Sequence, residues 1–163
     1  MRYHNITKDD MLNGEGLRTV LWVAGCSHHC PQCHNPVTWD INGGLVFDEQ
    51  AKEELFEELK KDYVSGVTFS GGDPLHLENR EEIGALAKEI REKFPDKTIW
   101  LYTGYEWEEI CHLPFLSNID VIIDGKFKIE EKDNNLHWKG SANQRVIDVK
   151  ASLCAGEVRL YQE

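Results

Sequence analysis

Three of the chain's five cysteines, Cys26, Cys30 and Cys33, lie within eight residues in the pattern C-x-x-x-C-x-x-C. Thiolates bind soft metals, and a tight loop turns several sulfurs toward one centre. A disulfide framework would use an even, dispersed set. The opening MRYHNITKDD has no apolar signal-peptide core, so the thiols are expected in a reducing, cytoplasmic setting. Two metal readings follow. One is zinc, with His28, His29 or His34 as fourth ligand. The other is an iron–sulfur cluster on three cysteines, which leaves one iron open to a substrate. Zinc sites commonly pair two short ligand hairpins, and no second C-x-x-C element is present. Cys111 and Cys154 stand alone and are expected to pack as small apolar residues.

The elements around this loop follow from periodicity. Leu17–Gly25 reads as a strand that delivers the cysteines. Asp48 caps a helix to about Val64, with Ala51, Leu55, Phe56, Leu59 and Tyr63 on one face. The run Glu49 to Lys61 supplies its solvated side. Gly66 opens a short strand, Val67–Phe69, which stops at Ser70-Gly71-Gly72-Asp73-Pro74. A second helix carries Ile83, Leu86, Ala87, Ile90 and Phe94 and ends at Pro95. Then come a strand at Thr98–Tyr102, a short helix at Glu106–Cys111 and a strand at Val121–Ile123 ending on Asp124-Gly125. A last strand is expected at Arg145–Val149, with one more possible at Val158–Tyr161. Strand–helix alternation predicts right-handed crossovers and a parallel sheet. Ligands of such sheets bind at the strands' carboxyl ends. The cysteine loop, Ser70–Pro74, Thr103-Gly104 and Asp124-Gly125 all follow strands, so four clusters should meet on one rim. Trp22, Trp100 and Tyr102 are expected in the core, and Trp39, Tyr105, Trp107 and Trp138 include positions that could meet a partner.

At 163 residues the chain is expected to form a single domain, 1–163. Its net charge of −11 disfavours phosphate backbones, so nucleic acid is not an expected partner. No apolar run is long enough to cross a bilayer, so no membrane is expected either.

C-x-x-x-C-x-x-C after a first strand resembles the signature of the radical S-adenosylmethionine enzymes. Asn13-Gly14-Glu15-Gly16-Leu17-Arg18 and Cys33-His34-Asn35-Pro36 are similar to their glycyl-radical-enzyme activases. Ser70–Leu75, Trp100–Tyr105, Asp124-Gly125-Lys126-Phe127 and Gly140–Arg145 resemble the branch that serves the anaerobic ribonucleotide reductase. The likeness runs through Arg145. It implies an α/β fold, an incomplete TIM-like barrel of parallel strands with outer helices, open on one side. It also implies a [4Fe-4S] cluster on Cys26, Cys30 and Cys33, with S-adenosylmethionine as cofactor. Reductive cleavage would give methionine and a 5′-deoxyadenosyl radical that takes hydrogen from a glycine of the reductase. An electron donor such as a flavodoxin would be needed, and no protein acid–base residue, because the cofactors carry the chemistry. The implied S-adenosylmethionine contacts are Gln32, Cys33 and His34 beside the adenine, and Gly71, Gly72 and Asp73 at the methionine ammonium. Asp124 would serve at the ribose, the methionine group or a cation, or cap its own loop. Arg145 would serve at a carboxylate or sugar. Gln32 stands where many relatives carry an aromatic residue. Another glycyl-radical activase, a different small radical enzyme of this superfamily, or a zinc-binding interaction module are the alternatives.

Overall fold

The computed structural model describes residues 1–30 and 39–162. The strand that leads into the cysteine loop is β2 (Arg18–Val23), and it lies third in one seven-stranded sheet. The others are β1 (Arg2–Asp10), β3 (Leu45–Val46), β4 (Gly66–Gly71), β5 (Thr98–Tyr102), β6 (Val121–Asp124) and β7 (Arg145–Asp148), in the order β3-β1-β2-β4-β5-β6-β7. The helices are α1 (Glu49–Leu59), α2 (Arg80–Lys93), α3 (Trp107–Ile110) and α4 (Val149–Ala155). Neighbours β2, β4, β5 and β6 pair in parallel, as the strand–helix alternation predicts. The sheet is mixed and mostly parallel at its centre, and its two edges, β3 and β7, do not meet.

Three departures from the expected parallel series have local causes. β1 is an added strand antiparallel to β2, with register breaks at Tyr3/Asn5 and Thr7/Asp10. Of its side chains only Ile6 is buried, so it shows little hydrophobic alternation and is held chiefly by backbone pairing. β7 is antiparallel to β6. The chain between them forms only a short 3₁₀ turn, Ile129–Glu131, in place of the crossover helix that a parallel strand requires. The expected tail strand reduces to one bridge, between Ile147 and Leu160.

Alternation along the strands sorts side chains between two faces. Leu21, Val23, Val67, Phe69, Ile99, Leu101 and Ile122 share a core with Leu55, Leu59, Ile83, Leu86 and Ile90 of α1 and α2. Burying each large side chain contributes roughly 1.5–3 kcal/mol against chain entropy. The Asp48 carboxylate starts α1 by accepting the Ala51 N–H at 2.9 Å. Glu106 and Glu109 form a capping box on α3. The opposite face carries Trp22, Ser70 and Tyr102 beside a cavity, and Trp100, Val121 and Ile123 in a smaller cluster. Residues 11–16 and 133–140 fold over that face, bringing Leu12, Asn13, Leu136 and Trp138 to the cavity wall.

Candidate functional site

The four rim clusters do meet. A cavity of about 460 Å³ at the carboxyl ends of β2, β4, β5 and β6 is lined by Cys26, His28 and Cys30, by Ser70-Gly71-Gly72, by Thr103-Gly104 and by Gly125. That is the size class of small-molecule sites. Its walls are Trp22, Tyr102, Trp138, Leu12, Phe127 and Leu136, with Gln144 at the far side. Trp22 and Tyr102, expected in the core, are cavity walls, because their strand positions point away from the helices. The Tyr102 hydroxyl donates to the Trp138 carbonyl at 2.5 Å, and burial pushes its ionisation upward.

Backbone geometry shapes the cysteine loop. Gly25 leaves β2 with φ +105, a turn favouring glycine. The Asn79 amide donates to the Ala24 carbonyl at 2.8 Å, and the Cys26 N–H donates to Trp39 O at 3.1 Å. Burial pushes the Cys26 thiol up to about 11, opposed by hydrogen bonds from the His28 and His29 backbone. Without a cation this sulfur keeps its proton at neutral pH. A metal would replace that proton, and the two backbone N–H groups suit a bound thiolate. Cys26 and Cys30 face one cavity and so fit a soft-metal cluster. Cys33, Gln32 and His34 lie outside the described residues. His29 stacks on Trp39 with centroids 4.4 Å apart. Among the described residues, no three His, Cys, Asp or Glu side chains group as a metal site.

The glycine loop is stitched to the cysteine loop. Gly72 N–H donates to Val23 O at 2.8 Å, and Asp73 N–H donates to Gly25 O at 2.7 Å. Gly71 has φ +99, and a Cβ there would sit 2.5 Å from the Val23 nitrogen. This glycine is therefore required by the backbone of β2, whatever lies in the cavity. Asp73 is 1% exposed. Its oxygens accept from Leu75 N at 2.9 Å, Thr103 Oγ1 at 2.9 and 3.0 Å, Gly104 N at 3.0 Å and His28 Nε2 at 2.6 Å. The expected direct contact with an ammonium meets a carboxylate already engaged, standing behind the loop it anchors.

Asp124 and Arg145 face each other across β6 and β7. Asp124 is buried, accepts Trp107 N–H at 2.8 Å and receives Arg145 Nη2 at 2.6 Å. Arg145 also reaches Glu108 at 2.8 Å, and hydrogen bonds to both carboxylates push its pKa upward. Neither side chain lines the cavity, although their neighbours Gly125 and Gln144 do. Of the aromatics considered for a partner, Trp107 is buried, Tyr105 packs on His28, and Trp138 packs on Trp100. Cys111 and Cys154, expected to pack as apolar residues, are exposed on the outer sides of short helices. Sequence reasoning passed over the engagement of His28, because its partner stands 45 positions away in another loop.

A family model described as "4Fe-4S single cluster domain" matches residues 12–147. Several curated proteins named anaerobic ribonucleoside-triphosphate reductase-activating protein are similar over most of their length. That of Enterobacteria phage T4 is 45% identical over 146 residues, covering 90% of this chain and 93% of that protein. That of Haemophilus influenzae is 40% identical over 151 residues, covering 88% and 96%. That of Escherichia coli K12 is 39% identical over 150 residues, covering 90% and 97%. No helix among the described residues is long and apolar enough to cross a membrane.

Proposed function

The chain belongs to the 4Fe-4S single cluster domain family and to the anaerobic ribonucleoside-triphosphate reductase-activating proteins, and from that premise we propose that it installs a glycyl radical on such a reductase. Cys26, Cys30 and Cys33 would hold the [4Fe-4S] cluster. When bound, the cluster and S-adenosylmethionine would supply the reductive radical chemistry directed at a glycine of the reductase.

The chain's own residues bind, orient and exclude water. Strand-end carbonyls of Ser70, Gly71 and Gly72 would accept from the methionine ammonium, with Asp73 fixing their loop. Gln32, Cys33 and His34 would serve the adenine. Asp124 and Arg145 hold the β6–β7 end that presents Gly125 and Gln144. Trp22, Tyr102 and Trp138 form a dry wall that protects a reactive radical from side reactions. As one radical-enzyme domain of incomplete-barrel type, the fold leaves an open side for a peptide segment of another protein. The setting is cytoplasmic, with a low-potential donor such as a flavodoxin.

The observation that carries this reading is the meeting of Cys26 and Cys30 with the Ser70–Gly72 and Thr103-Gly104 loops around one cavity. The test is anaerobic mixing of reconstituted protein, reductase, S-adenosylmethionine and a reductant, followed by electron paramagnetic resonance. A glycyl radical that requires all four components is expected. Its absence, with intact cluster absorption, would overturn the proposal.

A further inference from the structure

His28 sits between two proposed cluster ligands, Cys26 and Cys30, yet its Nε2 is taken up by a carboxylate. Its side chain is 7% exposed, and its Nε2 lies 2.6 Å from Asp73 Oδ2. The same carboxylate takes the Gly104 N–H at 3.0 Å and the Thr103 hydroxyl. The His28 ring meets Tyr105 edge-on, with centroids 4.7 Å apart. The Arg80 guanidinium covers Tyr105 at 5.3 Å. A Cβ on Gly104 would collide with the His28 ring. Three loops that follow β2, β4 and β5 are thus joined at one point, and a glycine is needed to leave room for it.

We propose that His28 is a positioning residue that, through Asp73, locks the cysteine loop to the glycine loop and to Thr103-Gly104, so that the cluster and the methionine-binding backbone hold a fixed mutual geometry. A charge-assisted hydrogen bond in a site this buried is strong enough to serve as such a lock. Without His28 the Asp73 oxygen that faces the cysteine loop would keep only the Gly104 N–H and the Thr103 hydroxyl, both at 3.0 Å, and would lose its shortest contact and its one tie to the cysteine loop. The lock acts through Asp73, which does not line the cavity, while His28, Thr103 and Gly104 do. Its bearing on S-adenosylmethionine rests on the function proposed above, whereas the lock itself does not.

The experiment therefore has two arms. In metal-free protein, hydrogen exchange at the Gly104 and Leu75 amides reports the clamp directly. His28→Ala should speed both about tenfold or more, the factor expected for a lost bond to a charged group. In reconstituted protein, His28→Ala should keep the iron content but bind S-adenosylmethionine about tenfold more weakly by calorimetry. His28→Gln, which can place an amide donor near the Nε2 position, should recover most of both losses. Gly104→Ala should copy His28→Ala by displacing the ring. The double variant should then be no worse than either single one, since both remove the same interaction. Unchanged exchange in His28→Ala, a Gln variant as weak as Ala, or multiplicative effects in the double variant would each overturn the lock. If the parent protein binds no S-adenosylmethionine, the proposed function fails while the exchange arm still judges the clamp.

Discussion

Buried charges anchor both ends of the parallel strands, Arg18 at the amino ends and Asp73 at the carboxyl ends, but their partners differ in kind. Arg18 is 0% exposed. It donates to Thr68 Oγ1, Glu15 O, Thr98 Oγ1, Val67 O and Thr98 O, all at 2.8–2.9 Å, and lies over Trp100 at 5.4 Å. Its partners are largely strand starts, already fixed by sheet pairing, so it seals a base. Burial pulls the guanidinium down to about 10, still cationic at neutral pH. Asp73 gathers groups from loops that have no ladder of their own, so it organises a rim. The larger cavity, about 1230 Å³, lies at the base among residues such as Lys97, Asp120 and Lys150, without a cysteine in its lining. Volume alone points to the base, whereas donor chemistry points to the rim. In open α/β sheets one end serves stability and the other serves ligands. Rim substitutions should therefore remove chemistry and spare folding, and base substitutions should do the reverse.

The largest effect is expected at the rim. Replacing Cys26, Cys30 or Cys33 by Ala would remove one of the three proposed thiolate ligands, and no S-adenosylmethionine cleavage should remain in an anaerobic product assay. Thermal melting of the metal-free variants should stay close to that of the metal-free parent. A collapsed fold in Cys26→Ala would break the comparison, because the cysteine loop would then be part of the scaffold.

At the base, Arg18→Met should cost about 3 kcal/mol or more, since it strands several buried acceptors. For a chain of this size that corresponds to a fall of roughly 10 °C in melting temperature. At a temperature where the variant is folded, cluster content should match the parent. Loss of cluster in folded Arg18→Met would mean that the base controls the rim through the strands.

The two ends were not equally legible in the sequence. The rim was readable because cysteine, glycine and acidic residues after strands carry chemical meaning by type and spacing. Thr98–Tyr102 was read residue for residue, since four central strands alternate with helices and bury nearly every side chain. Arg18 was visible only as part of a motif, and nothing in one sequence announces that a cation will bury itself among carbonyls. Asp73 was read as a ligand because its type suits an ammonium. Its engagement by His28, Thr103 and Gly104 depends on three loops meeting, which sequence spacing does not encode. β1 and the reversal of β7 were missed because a strand with one buried side chain and a crossover's geometry leave no hydrophobic period.

A smaller effect tests whether lying at the rim end is enough to matter. β3 runs parallel to β2, so α1 starts at the rim end of the sheet, where Asp48 caps it and lines no part of the cavity. Asp48→Ala should cost about 1 kcal/mol, a shift of a few degrees by differential scanning calorimetry. S-adenosylmethionine affinity should not change. A loss of affinity beyond threefold would show that stability at this end is coupled to the loops.

The smallest effect is expected at the two remaining cysteines. Cys111 closes α3 and Cys154 lies on α4, both exposed. Cys111 Sγ has only a long contact, 4.0 Å, to Glu108 O. Substitution to Ser at an exposed position removes almost no packing, so stability should stay within about 0.5 kcal/mol. Iron and sulfide content after anaerobic reconstitution should equal the parent's. In the metal-free parent, Cys111 and Cys154 should react faster than Cys26 with a thiol reagent, because both are exposed and Cys26 is partly buried and keeps its proton. The pair Cys111→Ser and Cys154→Ser is also the sharpest check on the ligand set. A cluster that fails to assemble in either variant would require a fourth protein thiolate, and an iron with every position taken could not receive S-adenosylmethionine.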